Sequence, residues 1–188
     1  MGKFFLGLFV ILLLLTGGVY YVGRTTGNDF GLGGIILKKG TINFSTQAFG
    51  NGNPIPLDYT CDGKDVSPVL LIDRVPGDAK SLAIIVDDPS ATPATFTHFM
   101  MFNIDPGVES IGTGEVPEGA IVANNDYGKN EYNGPCPPVG VHKYYFRIYA
   151  LDTALYLDEN AKRSNLDKAM KGHIIARGEF YGEYAKNN

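Results

Sequence analysis

Clustered positive charge is missing from this 188-residue chain. Sixteen Lys and Arg stand against 20 Asp and Glu, for a formal charge of −4. All 20 acids lie after residue 26, together with 14 of the bases, so that part stands near −6 (14 − 20). The tightest basic spots are Lys38-Lys39 and Lys162-Arg163, and both read as solvated surface. A phosphate backbone needs clustered Lys and Arg, so nucleic acid is excluded as a partner. Helix-period patterns are scarce before the C-terminus, and no internal repeat is present. Signatures of common hydrolases are also missing: no HExxH, no Ser or Cys in a nucleophile elbow, no ligand set with metal-type spacing.

What is abundant points elsewhere. Twenty-four glycines and 11 prolines accompany a composition that is 44% hydrophobic and 12% aromatic. Many turns between short apolar runs favour a β-rich fold. About 150 residues remain after the N-terminal segment is set aside, enough for one domain with its own core.

That segment is an address. Phe4 to Val22 is 19 residues without a charge. At about 1.5 Å per residue it spans roughly 28 Å, close to the hydrocarbon thickness of a bilayer. Tyr20 and Tyr21 sit where interfacial aromatics belong. The apolar stretch Phe4 to Leu15 also has the length of a signal-peptide core. Thr16-Gly17-Gly18 is a poor cleavage site, and no cysteine follows that can take a lipid. Two readings stay open: an uncleaved membrane anchor, or a cleaved signal that leaves a secreted domain. Both place the domain outside the cytoplasm. The division expected is residues 1–23 as anchor or signal, 24–39 as a glycine-rich linker, and 40–188 as the domain.

Within the domain, Thr41 to Phe49 alternates apolar and polar residues, the period of a half-buried strand. Val69 to Ile72, Ser81 to Asp87, His98 to Ile104 and Tyr144 to Leu151 are further strands. Ser81 to Asp87 is nearly continuous in branched residues, so it is expected at the centre with both faces covered. Near the end, Ser164 and Asp167 fit a capping box. Leu166, Ala169, Met170 and Ile174 form a helical stripe, which Gly172 divides into two short helices. Phe180 to Tyr184 reads as a last strand or more helix. The expected fold is an antiparallel-dominated β-sandwich with short C-terminal helices, preceded by one hydrophobic helix.

Polar groups gather at three strand ends. Asp87-Asp88-Pro89-Ser90 follows the strongest strand, His98 opens the next, and His142 follows the stiff segment GPCPP (134–138). Tyr144, two residues after His142, points to the same side of its strand. Asp87 reads as a turn cap, and His173 as structural.

At these residues a resemblance becomes specific. DDPSATPATFTHFMMFNI and YNGPCPPVGVHKYYFRIYALD are similar to the two signature regions of the phosphatidylethanolamine-binding protein family. AFGNGNPIPLDYTCDGKDVSP and LDKAMKGHIIARGEFYGEY resemble its bacterial and archaeal branch, called Raf-kinase-inhibitor-like or YbhB/YbcL-like. The likeness covers roughly residues 41 to 184. It implies a β-sandwich with a small cavity for anions such as phosphate or phosphorylated head groups, with no cofactor. Asp88 resembles the first acid of the family's DPD motif, and His98 resembles its cavity histidine. Phe96 stands where an aromatic is expected. Gly134, Pro135, Pro137 and Pro138 match the rim; His142 and Tyr144 match the second wall. Ser90 replaces the second aspartate, and Thr92 the closing proline. One carboxylate beside two imidazoles accepts an anion more readily than two carboxylates do; a changed ligand or a decayed site reads equally from the same substitution.

Cys61 and Cys136 form an even pair in a domain expected outside the cytoplasm, which favours a disulfide tying the TCDG loop to the rim; two buried free thiols are the alternative. The leading function is a non-enzymatic module for a small anion, with a kinase or serine protease as a possible inhibited target by analogy. The alternatives are a metal-dependent or acid–base hydrolase using Asp88, His98 and His142, and a structural envelope protein with a vestigial cavity.

Overall fold

A computed structural model describes residues 40–186. The segment 1–23 and the linker 24–39 lie outside the described residues. Among the described residues no helix is long and apolar enough to cross a membrane.

Nine strands and one α-helix make up the domain. They are β1 (Gly40–Thr41), β2 (Asn43–Ser45), β3 (Leu70–Asp73), β4 (Ser81–Asp88), β5 (Phe96–Ile104), β6 (Ser110–Ile111), β7 (Ile121–Val122), β8 (Val141–Leu151), α1 (Arg163–Met170) and β9 (Ile174–Ala185). Six strands form one sheet in the order β1-β9-β8-β4-β5-β7, and β2-β3-β6 form a second. β1 runs parallel to β9, and every other pair is antiparallel.

Side-chain alternation builds two cores from the large sheet. Leu82, Ile84 and Val86 of β4 join Phe146 and Ile148 of β8 on one face, packed against Phe44, Ile72 and Ile111 of the small sheet. On the other face, Ala83, Ile85, Met100 and Phe102 meet Leu155, Leu166 and Met170. All eight residues of β4 are buried, as its unbroken branched run predicts for a central strand covered on both sides.

Several local expectations change. The alternation from Thr41 to Phe49 is divided between two sheets: β1 pairs with β9, and β2 pairs with β3. The helix begins at Arg163, one residue before the expected cap. Asn165 Oδ1 accepts the Lys162 amide at 2.9 Å, the role that the Ser164–Asp167 box was expected to fill. The earlier start lets Arg163 donate to buried Asp87 at 2.9 Å. Gly172, at φ 89°, ends α1 rather than dividing two helices, so there is one C-terminal helix. Ile174 and Phe180 to Tyr184 belong to β9, a strand of 12 residues.

Candidate functional site

Asp88 ends β4 and His142 is the second residue of β8, so antiparallel pairing brings them to the same end of the sheet. His142 Nδ1 donates to Asp88 Oδ2 at 2.6 Å. The other carboxylate oxygen accepts the Ser90 amide at 2.8 Å, an Asx-type turn that closes the loop after β4. The Ser90 hydroxyl in turn accepts the Lys143 amide at 3.3 Å.

Asp87 points to the opposite face. It is 1% exposed and bonds to Arg147 of β8 and Arg163 of α1. Its expected role as a turn cap is therefore replaced by a buried ion-paired network, because a carboxylate this deep must be matched by charge and hydrogen bonds. Arg147 also reaches Glu179 at 3.1 Å, which explains the cation that interrupts the apolar run from Tyr144 to Leu151.

His98 reaches the Asp88 side through a β-bulge. Val86 pairs with Phe99 and Asp87 with Thr97, so His98 is the extra residue on β5. A bulge re-aims side chains locally. Here it sets Phe96, opposite Asp88, and His98 on the cavity side, and leaves Thr97 beside Asp87. The loop before β8 stitches the bulge in place. Buried Asn125 donates through Nδ2 to the His98 carbonyl and to Asn133 Oδ1, and its Oδ1 accepts the Tyr127 and Lys129 amides. The Asn133 carbonyl faces His98 Nδ1 at 2.7 Å.

The 134–138 segment forms the far wall. Gly134 donates its amide to Asp65 Oδ1 at 2.6 Å, and a Cβ there would stand 2.3 Å from the Tyr59 carbonyl oxygen. Only glycine admits that approach. The Cys61 amide donates to the Pro135 carbonyl at 3.1 Å, and Cys61 is disulfide-bonded to Cys136. The prolines supply fixed φ values, so the wall needs little ordering. Among the described residues the cis peptide is Thr92–Pro93, on the opposite rim; none falls in 134–138.

Together these elements enclose a cavity of about 310 Å³. Asp88, Ser90, Phe96, His98, His142 and Tyr144 line it, with Pro137 and Pro138 on the rim. Gly134 and Pro135 do not line it; they hold the wall from behind. Tyr127, Cys136 and Val139 also line it. Tyr127 had no sequence signal, because the loop that carries it is placed by long-range bonds to β5 rather than by any local motif. His173 lies elsewhere, exposed and paired with Asp152 at 2.8 Å. Larger hollows of about 620 and 440 Å³ lie over the β8–β9 face and beside Tyr132. Neither has a histidine or a fully buried carboxylate in its wall.

The chemistry of the cavity is set by burial. His98 is 3% exposed, and desolvation pushes its pKa below 6.5 against the pull of the Asn133 carbonyl and of Asp88. Tyr144 is fully buried, and its hydroxyl has no hydrogen-bond partner among the described residues. Burial, then the charge of Asp88, raises its pKa; the Cys136 backbone acts the other way without a hydrogen bond of normal geometry. The His98 ring is packed edge-on against Phe96, Tyr127 and Tyr144 at centroid distances of 5.1, 5.8 and 5.2 Å. Among the described residues, no three His, Cys, Asp or Glu side chains are grouped to hold a metal ion.

A family model described as phosphatidylethanolamine-binding protein matches residues 45–185. A UPF0098 protein of Methanothermobacter thermautotrophicus is 45% identical over 150 residues, covering 77% of this chain and 99% of that protein. A UPF0098 protein of Chlamydia trachomatis is 39% identical over 151 residues, covering 78% of this chain and all of its own length. Among solved structures, Escherichia coli YbcL, described as a new member of the mammalian PEBP family, superposes with a TM-score of 0.74 at 27% identity. It covers 78% of this chain and 99% of its own. A phosphatidylethanolamine-binding protein homolog from Chlamydia trachomatis gives a TM-score of 0.74 at 39% identity, with the same coverage.

Proposed function

The chain belongs to the phosphatidylethanolamine-binding protein family, and from that premise we propose that it is a non-enzymatic binding module whose cavity takes a small oxyanion of the phosphate or phosphorylated head-group kind. The observation that carries this reading is the fully buried Tyr144 hydroxyl, left without a partner in the wall of a cavity that it shares with His98, His142 and Asp88. A buried hydroxyl without a partner costs about 1–3 kcal/mol, and a ligand oxygen removes that cost.

Two side chains of the wall able to act as nucleophiles are otherwise engaged. Cys136 is in the disulfide, and the Ser90 hydroxyl accepts the Lys143 amide. Asp88 orients His142 from within the protein, so His142 presents its Nε2 edge to a ligand as a binding group. A kinase or serine protease is the proposed class of protein target, resting on the family likeness alone. Residues 1–23 are proposed as a membrane anchor or signal that places the domain outside the cytoplasm, in keeping with the Cys61–Cys136 bond.

Calorimetric titration of the full chain with inorganic phosphate at pH 6 tests the reading. Binding is expected, with Tyr144→Phe weakening it roughly tenfold. Absence of heat with every oxyanion offered, or unchanged affinity in Tyr144→Phe, overturns it.

A further inference from the structure

The cavity wall contains no lysine or arginine. Its one charged carboxylate, Asp88, is 3% exposed and is held by His142 and by the Ser90 amide. An oxyanion entering this space meets no fixed cation, so each added negative charge on the ligand is opposed by Asp88 in a region of low dielectric.

The orientation of the two rings sharpens the point. The Asn133 carbonyl has lone pairs only, so His98 Nδ1 carries the hydrogen. The Asp88 carboxylate likewise accepts from His142 Nδ1. A neutral His98 so anchored turns a lone pair, not a hydrogen, outward at Nε2. The groups facing His98 are Asp88 from β4, Phe96 on its own strand, Tyr144 from β8, and Asp126, Tyr127 and Asn133 from the loop before β8. Burial outweighs the two acids and lowers its pKa, which favours the neutral ring. The Tyr144 hydroxyl is the fully buried donor that has no partner among the described residues. The cavity thus pairs a buried O–H donor with a buried acceptor at His98, beside a carboxylate, while the more exposed Ser90, Thr92 and Tyr127 hydroxyls of the wall can turn to either role. That pattern matches an oxyanion bearing both an ionised oxygen and a hydroxyl.

Resting on the binding-module reading above, we infer that the cavity selects oxyanions that carry their own proton, of which the phosphomonoester monoanion is the type, against sulfate and phosphodiesters. The P–O⁻ oxygen accepts from Tyr144, and the P–OH donates to His98 Nε2. A sulfate or a phosphodiester has only acceptors at this pH and sets a lone pair against a buried lone pair. A doubly charged monoester loses its hydroxyl and adds a charge facing Asp88. Free phosphate and phosphomonoesters therefore share the recognised chemistry, whereas an intact diacyl phosphodiester head group lacks it.

The full chain titrated calorimetrically at pH 6 with methyl phosphate, dimethyl phosphate and sulfate tests this. Methyl phosphate, with its second pKa near 6, is about half monoanion there. It is expected to bind at least about tenfold more tightly than the other two, since each leaves a buried acceptor unmet. Its affinity falls as pH rises above 6, because the P–OH is lost. His98→Gln, whose amide can offer an N–H donor, narrows the preference. Should that variant fail to fold, nitrogen-resolved NMR of the histidine rings in the unaltered chain gives a second measurement. His98 is expected as the neutral Nδ1–H tautomer at pH 7, with and without methyl phosphate. Sulfate or dimethyl phosphate binding within about threefold of methyl phosphate, or an imidazolium at His98 in the complex, overturns the inference and leaves the binding-module reading standing. No binding of any of the three overturns both.

Discussion

His142 of β8 donates its Nδ1 hydrogen to Asp88 of β4 across 2.6 Å, with both side chains almost wholly out of solvent. This bond fixes the ring edge that faces the cavity and joins two neighbouring strands at their open ends. Asp88→Ala removes the acceptor for both His142 and the Ser90 amide. The expected loss is about 2–3 kcal/mol of folding stability, read by urea unfolding, and Asp88→Asn is expected to recover part of it. A loss below about 0.5 kcal/mol in Asp88→Ala would mean the pair is not a structural link.

Gly134 has no room for a side chain. A Cβ would lie 2.3 Å from the Tyr59 carbonyl, a backbone atom that cannot swing aside. Gly134→Ala is therefore expected to cost at least about 2 kcal/mol and to loosen the 134–138 wall. Denaturant midpoints measure the first effect and phosphate affinity the second. A variant of unchanged stability would show that the Tyr59 segment moves freely.

The Cys61–Cys136 bond spans 75 residues. Closing a loop of that length restricts the unfolded chain by roughly 4 kcal/mol in the chain-entropy description. The double variant Cys61→Ser, Cys136→Ser is expected to lose most of that figure. Reduction of the parent protein should reproduce the loss. Equal stability with and without reductant contradicts this prediction. The hydrogen bonds from Cys61 to Pro135 and from Gly134 to Asp65 hold the wall in either state, so its position should outlast the bond better than its stability does.

His98 makes the fold sensitive to acid. Its pKa in the folded protein lies below 6.5, so in the window between the folded and unfolded values the unfolded chain binds more protons. Stability contributed by neutral His98 is complete above pH 6.5 and declines as pH falls through that window. Thermal midpoints should drop from pH 7.5 to pH 5, and the drop should be smaller in His98→Gln. Equal slopes in the two proteins would remove His98 as the cause.

Asn125 organises the cavity without lining it. It bonds the His98 carbonyl, the Asn133 side chain and two amides of the Tyr127 loop. Asn125→Ala is expected to cost about 2–3 kcal/mol by leaving buried groups unmet. It should also shift the NMR signals of the His98 ring, which a loss of bulk stability alone would not move. Unshifted His98 signals would assign Asn125 to the fold only.

Much of this molecule could be read without coordinates. The branched run of Ser81 to Asp87 demanded a central, doubly covered strand, because no other place removes that much apolar surface from water. The residues around His98 and the GPCPP segment carried the family likeness, and with it the expectation of a shared cavity for Asp88, His98, His142 and Tyr144. Other features belong to the tertiary structure alone. The bulge at His98 follows from how β5 must register against β4 while bonding Asn125 and Asn133, and no local pattern encodes that count. Asp87 and Asp88 are neighbours of the same type, yet one is bound by Arg147 and Arg163 and the other by His142. Alternation sends them to opposite faces, and only the packing of β8 and α1 decides which partner each one meets. Strand periods follow from local chemistry, whereas register, bulges and ion pairs depend on contacts between residues distant in the chain.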